Sequence, residues 1–424
     1  MSTGLAEFTG VFKPPPCARS HDHGDPRVNR LRPTLIAFVA VAVLALTALA
    51  WGVSDRDQKA DEPRPQDASR AKPTGPGSPD AGRPARRGPG TPEGVYAHTG
   101  ARMLSPAVKG QLERVYVPNS DSDTVSVIDP GTAKVVDTFP VADLPHHITP
   151  SYDMKTFYVN NTSGNSLTPI DPRTARPTGR PIPVDDPYNL YFTPGGRSAI
   201  VVAERLQRLD FRDPKTWKLQ KSVPAGCAGV DHMDFTADGR RAVTSCEFDG
   251  TLLLVDLPGK KVIERLSLDH PGAKPVDVRL SPDGELFYVA DEVANGVWKV
   301  DARKFRVKGF IATGRGTHGL YPSRDASRLY ATNRLAGTVS VIDFDTGKVS
   351  ETWRLPGGGS PDMGGVSADG KLLWLSGRYH AEVYAIDTGD GRLRARIPVA
   401  AGAHGMLVWP QPGRYSLGHT GNMR

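Results

Sequence analysis

The chain has 424 residues, with 53 basic and 46 acidic side chains and a formal net charge of +7. Hydrophobic residues make up 38% of the chain, which is enough for a sizeable core and excludes a fully disordered protein. Three cysteines exclude a disulfide-rich scaffold, and the lack of a basic stripe with interleaved aromatic residues argues against nucleic-acid binding.

The first hundred residues have the features of an export segment. Residues 35–53 form an uncharged apolar run that is long enough to cross a membrane as a helix. Three arginines precede the run, so the positive-inside rule predicts a cytoplasmic, disordered tail at residues 1–34 and export of the remainder. Residues 54–100 are rich in Pro and Gly and predict a disordered linker. The sequence therefore predicts a single-pass protein of the cell membrane, held there by its own helix.

A cleaved secretory signal is the alternative to this anchor. Ala48, Leu49 and Ala50 resemble a small-residue cleavage site. The 34 residues before the apolar run are long for a signal peptide, which favours an uncleaved anchor.

A short apolar strand that ends in aspartate recurs seven times in the remainder of the chain. The intervals are 39 to 46 residues, and the aspartates are Asp129, Asp171, Asp210, Asp256, Asp301, Asp343 and Asp387. A period in the low forties with four strand patterns per unit is typical of a β-propeller blade. The sequence therefore predicts an all-β fold, a seven-bladed β-propeller of four-stranded blades over residues 112–424, in a monomeric ring.

The two ends of the repeat region are complementary. The first repeat strand, at residues 114–117, has no inner strand before it, whereas residues 404–409 form an inner strand without a blade. We expect this C-terminal strand to complete the first blade. We expect residues 413–424 to add an edge strand or a plug.

The units RVYVPN, TFYVNN and RLYATN, with VSVID after the first and third, resemble the YVTN repeat of bacterial and archaeal surface propellers, including YncE-type proteins. The resemblance covers about residues 112–424 and implies the propeller fold. Members of this group resemble surface-layer, adhesive or periplasmic binding proteins. The wider superfamily includes haem-binding and quinoprotein propellers, lactonases and a streptogramin lyase. The resemblance therefore indicates the fold more sharply than the function.

The first residues of the inner strands should line the mouth of the central channel. Counting back from each inner turn gives one column of His146, Tyr188, Asp231, Val276, His318, Asp362 and His404. The next column is His147, Asn189, His232, Asp277, Gly319, Met363 and Gly405. Histidine and aspartate that converge on an axis could bind a divalent metal such as Zn, Mn or Cu. The candidate ligands are His146, His318, His404 and Asp362. The alternative is that these histidines only satisfy backbone groups.

The loops between the second and third strands face the same end of the ring. They carry mixed charges, among them Arg205, Glu247, Arg334 and Arg378. Guanidinium groups could clamp a carboxylate or phosphate there. The alternative is that these charges pair with one another.

Cys227 and Cys246 flank the inner turn of the fourth blade on this same face. Export permits oxidation, so we predict a disulfide between them. Two buried small apolar residues are the alternative.

We expect an exported, membrane-anchored propeller that binds a small polar ligand or an envelope protein through its top-face loops. The alternative is an exported metal-assisted lyase or lactonase-type hydrolase with its site at the channel. The sequence contains no nucleophile elbow in the right context, no P-loop and no haem-attachment motif. It does not decide whether the protein is an enzyme, and it predicts no cofactor besides a candidate divalent metal.

Overall fold

The structure is a computed structural model that describes residues 94–424. The predicted tail at residues 1–34 and the predicted membrane helix at residues 35–53 lie outside the described residues, as does most of the predicted linker. Within residues 94–424, no helix combines the length and the apolar character that a membrane span requires.

Seven antiparallel sheets follow one another along the described chain, and each forms one blade. Blade 1 consists of Leu407–Trp409, Arg114–Asn119, Thr124–Asp129 and Lys134–Pro140; blade 2 of Pro145–Pro150, Phe157–Asn161, Ser166–Asp171 and a split outer strand at Arg176–Pro177 and Ile182–Pro183; blade 3 of Asn189–Phe192, Ala199–Ala203, Arg208–Arg212 and Leu219–Pro224.

The last four blades are regular. Blade 4 consists of Val230–Phe235, Arg241–Cys246, Thr251–Asp256 and Lys261–Ser267; blade 5 of Pro275–Leu280, Leu286–Asp291, Gly296–Asp301 and Val307–Ala312; blade 6 of Thr317–Pro322, Arg328–Asn333, Thr338–Asp343 and Lys348–Arg354; blade 7 of Pro361–Val366, Leu372–Gly377, Glu382–Asp387 and Leu393–Pro398. The predicted all-β, seven-bladed propeller of four-stranded blades is confirmed.

The chain closes the ring with its C-terminal part. Trp409 pairs with Arg114, so a strand from the end of the chain completes blade 1, which confirms the prediction. The strands Ser416–Gly418 and Asn422–Met423 then pair with each other around the 3-10 turn His419–Gly421, and Gly418 pairs with Tyr191 on the inner edge of blade 3. We call residues 413–424 the C-terminal hairpin; it supplies the expected edge strand.

Residues 94–108 lie against the lower face, which is formed by the turns between the inner and second strands. The segment contains the 3-10 turns Gly94–Tyr96 and Pro106–Val108. Val95 N donates to Pro282 O at 2.9 Å, and the buried Tyr96 hydroxyl donates to Leu280 O at 2.7 Å. The residues that the sequence assigned to the end of the linker, 94–100, are therefore packed on the ring.

Apolar side chains pack between neighbouring blades. Ile200 and Phe211 of blade 3 share one buried cluster with Phe235 and Leu253 of blade 4. Six further clusters within the described ring join the other neighbouring pairs. Because one blade alone would leave both of its faces in water, burial depends on stacking and closure of the ring.

The asparagine of the repeat fixes the top of each blade that carries it. Asn333 ends a second strand, is fully buried, and donates from Nδ2 to Thr338 Oγ1 and Ser340 Oγ at 3.0 Å each. Asn119 and Asn161 bond the third strands of their blades in the same way. This residue is therefore part of the scaffold and does not line a site.

One of the seven repeat aspartates, Asp210, was wrongly predicted to end the third strand of its blade. Asp129, like five of the others, starts a turn by accepting a backbone N–H, here from Gly131 at 2.9 Å. In blade 3 this role belongs to Asp213, which accepts from Lys215 N at 3.0 Å, because the third strand continues to Arg212. Asp210 is buried within that strand.

A disulfide joins Cys227, in the loop before blade 4, to Cys246 at the end of the second strand of that blade. The two residues are 19 apart in the chain, and both are buried. Replacing both with alanine should lower the free energy of unfolding by about 3 kcal/mol, because the unfolded chain regains the entropy of an open loop. Urea unfolding without reductant measures this change. An unchanged midpoint would contradict the expectation.

Candidate functional site

Five histidines converge in the channel and form what we call the histidine cluster. His146 and His147 are the second and third residues of the inner strand of blade 2, and His232 is the third residue of the inner strand of blade 4. His404 precedes the inner strand of blade 1, and His419 lies at the tip of the C-terminal hairpin. The first four come from the predicted columns, whereas His419 was not predicted.

The cluster contains two groups with the spacing of a metal site. The outer triad is His146, His147 and His404, and the inner triad is His147, His232 and His419. Within each triad the candidate ligand atoms lie within 4.8 Å of one another. A tetrahedral ion with bonds of about 2.1 Å needs nitrogens about 3.4 Å apart, so small side-chain rotations would complete either triad.

A carboxylate lies beside the Nδ1 atom of two of these rings. His404 donates from Nδ1 to Asp362 Oδ2 at 2.7 Å, and His232 Nδ1 lies 2.8 Å from Asp231 Oδ1. Burial opposes the charged form of His232, but the Asp231 carboxylate outweighs it and raises the pKa of this imidazole. In each pair the Nε2 atom stays free. A carboxylate behind a histidine is the usual second partner of a metal-binding imidazole.

A backbone carbonyl orients the third ring. His147 donates from Nδ1 to Tyr188 O at 2.8 Å, which leaves only Nε2 free. Among residues 94–424, several buried ring nitrogens have no hydrogen-bond partner: Nδ1 of His146, Nε2 of His147 and His404, and both nitrogens of His232 and of His419. Each unpaired buried polar atom costs about 1–3 kcal/mol.

The cluster is largely neutral. Burial lowers the pKa of His146, His147 and His419 well below 6.5, and neighbouring imidazoles lower it further. Burial, followed by the charge of Arg378, lowers the pKa of His404 to about 3. Neutral imidazole is the form that binds a metal ion.

The metal ligands predicted from the sequence are only partly brought together. His146 and His404 lie close, with ring centroids 4.4 Å apart. His318 instead places its Nδ1 2.9 Å from Asp362 Oδ1 and 3.1 Å from Met363 Sδ. Asp362 therefore bridges His318 and His404 with its two oxygens, and it supports the cluster from behind.

Ion pairs run around the mouth of the channel. Lys274 lies 2.9 Å from Glu247 and 3.4 Å from Glu292. Arg334 lies 2.7 Å from Glu292 and 3.5 Å from Asp362. Glu247 and Arg334 are thus members of one chain of paired charges.

The three arginines that could clamp an anion differ in whether a carboxylate already pairs with them. Arg205 donates from Nε to the buried Asp186 at 2.7 Å. Arg378 contacts Ser120 Oγ and Gly402 O at 3.4 Å each, and no carboxylate of the described ring lies within ion-pair distance of it. Arg378 is therefore the guanidinium best placed to receive an anionic ligand.

Asp277 has a structural role. It is buried, and its Oδ2 accepts from Leu320 N at 2.9 Å, which ties the inner strand of blade 5 to that of blade 6.

Exposed apolar side chains surround the mouth. They occupy the loops between the second and third strands of five consecutive blades and are Leu206, Phe248, Val293, Leu335 and Tyr379. We call this set the apolar crescent. Phe248 and Tyr379 are each 58% exposed. The sequence predicted that these loops face the top of the ring, but it did not predict a role for their apolar residues.

Packing against the His147 ring explains why a glycine follows His404. A Cβ on Gly405 would lie 1.9 Å from the His147 ring, so the ring can approach only a glycine. Gly405→Ala should therefore lower the free energy of unfolding by about 1–3 kcal/mol and displace His147 from both triads. Thermal unfolding and the ¹H chemical shifts of the histidine rings measure these effects. Gly365→Ala is the matched control, because its Cβ would meet only ordinary contacts at 3.5 Å.

Comparisons with solved structures show the same fold in proteins of distant sequence. The hydrazine synthase of Kuenenia stuttgartiensis aligns with a TM-score of 0.55 and 17% identity over 69% of this chain and 94% of that chain. A functionally unknown protein from Desulfotomaculum acetoxidans aligns with a TM-score of 0.59 and 13% identity over 70% and 98%. At these identities the likeness concerns the fold alone.

Sequence comparison is more specific. YncE of Salmonella typhi is 26% identical over 272 residues, which cover 59% of this chain and 73% of that protein. Residues 98–413 match the family described as YNCE-like beta-propeller. This match spans most of the chain and nearly the whole ring. The chain therefore belongs to the YncE-like β-propeller family.

Proposed function

We propose that this chain is a metal-binding β-propeller that holds one transition-metal ion in the histidine cluster below its top face. The observation that carries the proposal is the convergence of unpaired, buried ring nitrogens from three blades and the C-terminal hairpin. Burial keeps most of these rings neutral, so a metal ion does not have to displace protons from them at pH 7.

The ligand type favours Cu²⁺ or Zn²⁺. Both triads offer imidazole nitrogen only, which suits these ions and does not suit Mg²⁺ or Ca²⁺. Asp231 and Asp362 supply negative charge next to the cluster and offset part of the charge of the ion. The hydrogen bond from His404 to Asp362 also holds that ring in the orientation that leaves Nε2 available.

Metal retention tests the proposal. Full-length protein is stripped with a chelator, equilibrated with Cu²⁺, Zn²⁺ or Mg²⁺, and passed through a desalting column before elemental analysis. We expect about one Cu²⁺ or Zn²⁺ per chain and no retained Mg²⁺. Retention of neither Cu²⁺ nor Zn²⁺ would contradict the proposal.

The proposed location is outside the cytoplasm, with residues 35–53 as a membrane anchor. The apolar run with arginines before it supports this topology, and the disulfide fits an oxidising compartment. Protease treatment of intact cells should degrade the ring and spare the N-terminal tail. Recovery of the ring in the culture medium, cut near Ala48, would support the cleaved signal instead.

The top face is the proposed contact surface for an envelope protein. The apolar crescent favours a protein over a small polar ligand, because exposed apolar groups gain from burial against apolar side chains of a partner. A photocrosslinker at Phe248 should capture one defined partner. A crosslinker at Ile263, which is exposed on an outer strand, should not capture it.

A metal-assisted hydrolase or lyase is the second candidate function, and Glu204 favours it. Burial and the nearby Asp231 raise the pKa of Glu204 to about 8. A carboxyl group with such a pKa can exchange a proton near neutral pH, as a general acid or base must. Turnover of lactones or cyclic esters by the metal-loaded protein, lost in Glu204→Gln, would support this role.

A further inference from the structure

We propose that the two triads are alternative positions for one ion, and that the inner position fastens the C-terminal hairpin to the channel wall. The inference rests on the proposed function, because it assigns the ion bound by the histidine cluster to two places. It adds a site that includes His419 and a consequence for the fold.

The shared ligand limits the cluster to one ion at a time. His147 uses Nδ1 to donate to Tyr188 O, so Nε2 carries its single available lone pair. Both triads need that lone pair, and one lone pair coordinates one ion. The two positions therefore exclude each other.

The two positions differ in access. His146 of the outer triad is only partly buried, so an ion can reach this position from the top face. His147, His232 and His419 of the inner triad are all buried at 1% exposure or less. This difference in access implies that the ion enters through the outer triad and then moves to the inner triad.

His419 comes to the cluster on a segment that is already positioned. At the lower end of the hairpin, Asn422 Nδ2 and Arg424 Nη2 donate to Asp234 Oδ1 at 2.9 and 2.8 Å. At the tip, Gly418 packs so tightly against Leu190 that a Cβ would lie 2.5 Å from its carbonyl oxygen. The hairpin thus presents the unpaired nitrogens of His419 to His147 and His232 without further folding.

Hydrogen exchange on the full-length protein tests the coupling. One equivalent of Cu²⁺ should slow the exchange of the amides in residues 416–423 by about 10-fold or more, while blade 5 stays unchanged as an internal reference. His419→Ala should still retain about one ion through the outer triad, but its hairpin amides should no longer respond to Cu²⁺. His404→Ala should keep the response, because the inner triad is intact.

The possible results separate the two proposals. If the wild-type protein retains no Cu²⁺, both the proposed function and this inference are overturned. Retained Cu²⁺ with unchanged hairpin exchange would overturn this inference alone. Two ions per chain, or an equal hairpin response in His419→Ala, would also overturn it. His270→Ala, at an exposed histidine outside the channel, is the control for nonspecific Cu²⁺ binding.

Discussion

His147→Ala is expected to weaken Cu²⁺ and Zn²⁺ binding by at least about 100-fold. Removing a residue that hydrogen-bonds to a metal ligand already lowers metal affinity by about 10–100-fold. His147 is itself a candidate ligand, and it belongs to both triads. Without His147, each triad would keep only two imidazoles. Titration of the metal-free protein by isothermal calorimetry measures the change in affinity.

The controls for this variant isolate the lost nitrogen from any damage to the fold. His270→Ala removes an exposed histidine and should bind the ion as the wild type does. Single changes of His146 or His419 should cost less than His147→Ala, since each leaves one triad complete. Wild-type affinity in a folded His147→Ala protein would show that the ion does not bind at this cluster.

The fold could be predicted because the propeller repeats one unit with few variations. The strand pattern ending in aspartate marks each blade, and the missing inner strand before Arg114 requires one from elsewhere, which Leu407–Trp409 supplies. Blade 3 departed from the register, since Asp210 resembles the repeat aspartate in its local sequence. Its burial in a strand became visible only when the pairing with the neighbouring strand was known.

The site was predictable only where it follows the repeat. His146, His147, His232 and His404 occupy repeat positions that face the channel in any propeller, so counting along the strands finds them. His419 lies outside the repeat, on a hairpin whose path depends on contacts with Asp234 and Tyr191. The glycines on both sides of the His-Thr pair, Gly418 and Gly421, were the one signal of a tight tip in the sequence.

The sequence also did not reveal which of the charged side chains on the top face pair with one another. From the sequence, Arg205, Arg334 and Arg378 were equivalent candidates for an anion clamp. The structure pairs the first two with carboxylates. Side chains on different blades decide such pairing, and the repeat pattern does not specify their reach.

Trp409→Ala is expected to lower the free energy of unfolding by about 3–5 kcal/mol, which is the range for removing a large buried aromatic side chain. Trp409 ends the three-residue strand that closes blade 1, and it is 1% exposed. Its ring packs 4.8 Å from that of Phe157 in blade 2, and its Nε1 donates to Gln111 Oε1 at 2.6 Å. The substitution therefore removes a contact between blades as well as the anchor of the closing strand.

Two measurements distinguish loss of closure from a local cavity. Urea unfolding gives the stability change, and Phe248→Ala, which removes an exposed aromatic ring, should change stability by less than about 0.5 kcal/mol. Hydrogen exchange should then accelerate in blade 1 and also in blade 7, because Val408 beside Trp409 packs against Trp374 and Ala385 of blade 7 in a shared cluster. Acceleration confined to the residues that touch Trp409 would mean that the ring stays closed without this anchor, since only an opened ring exposes the facing surfaces of both blades.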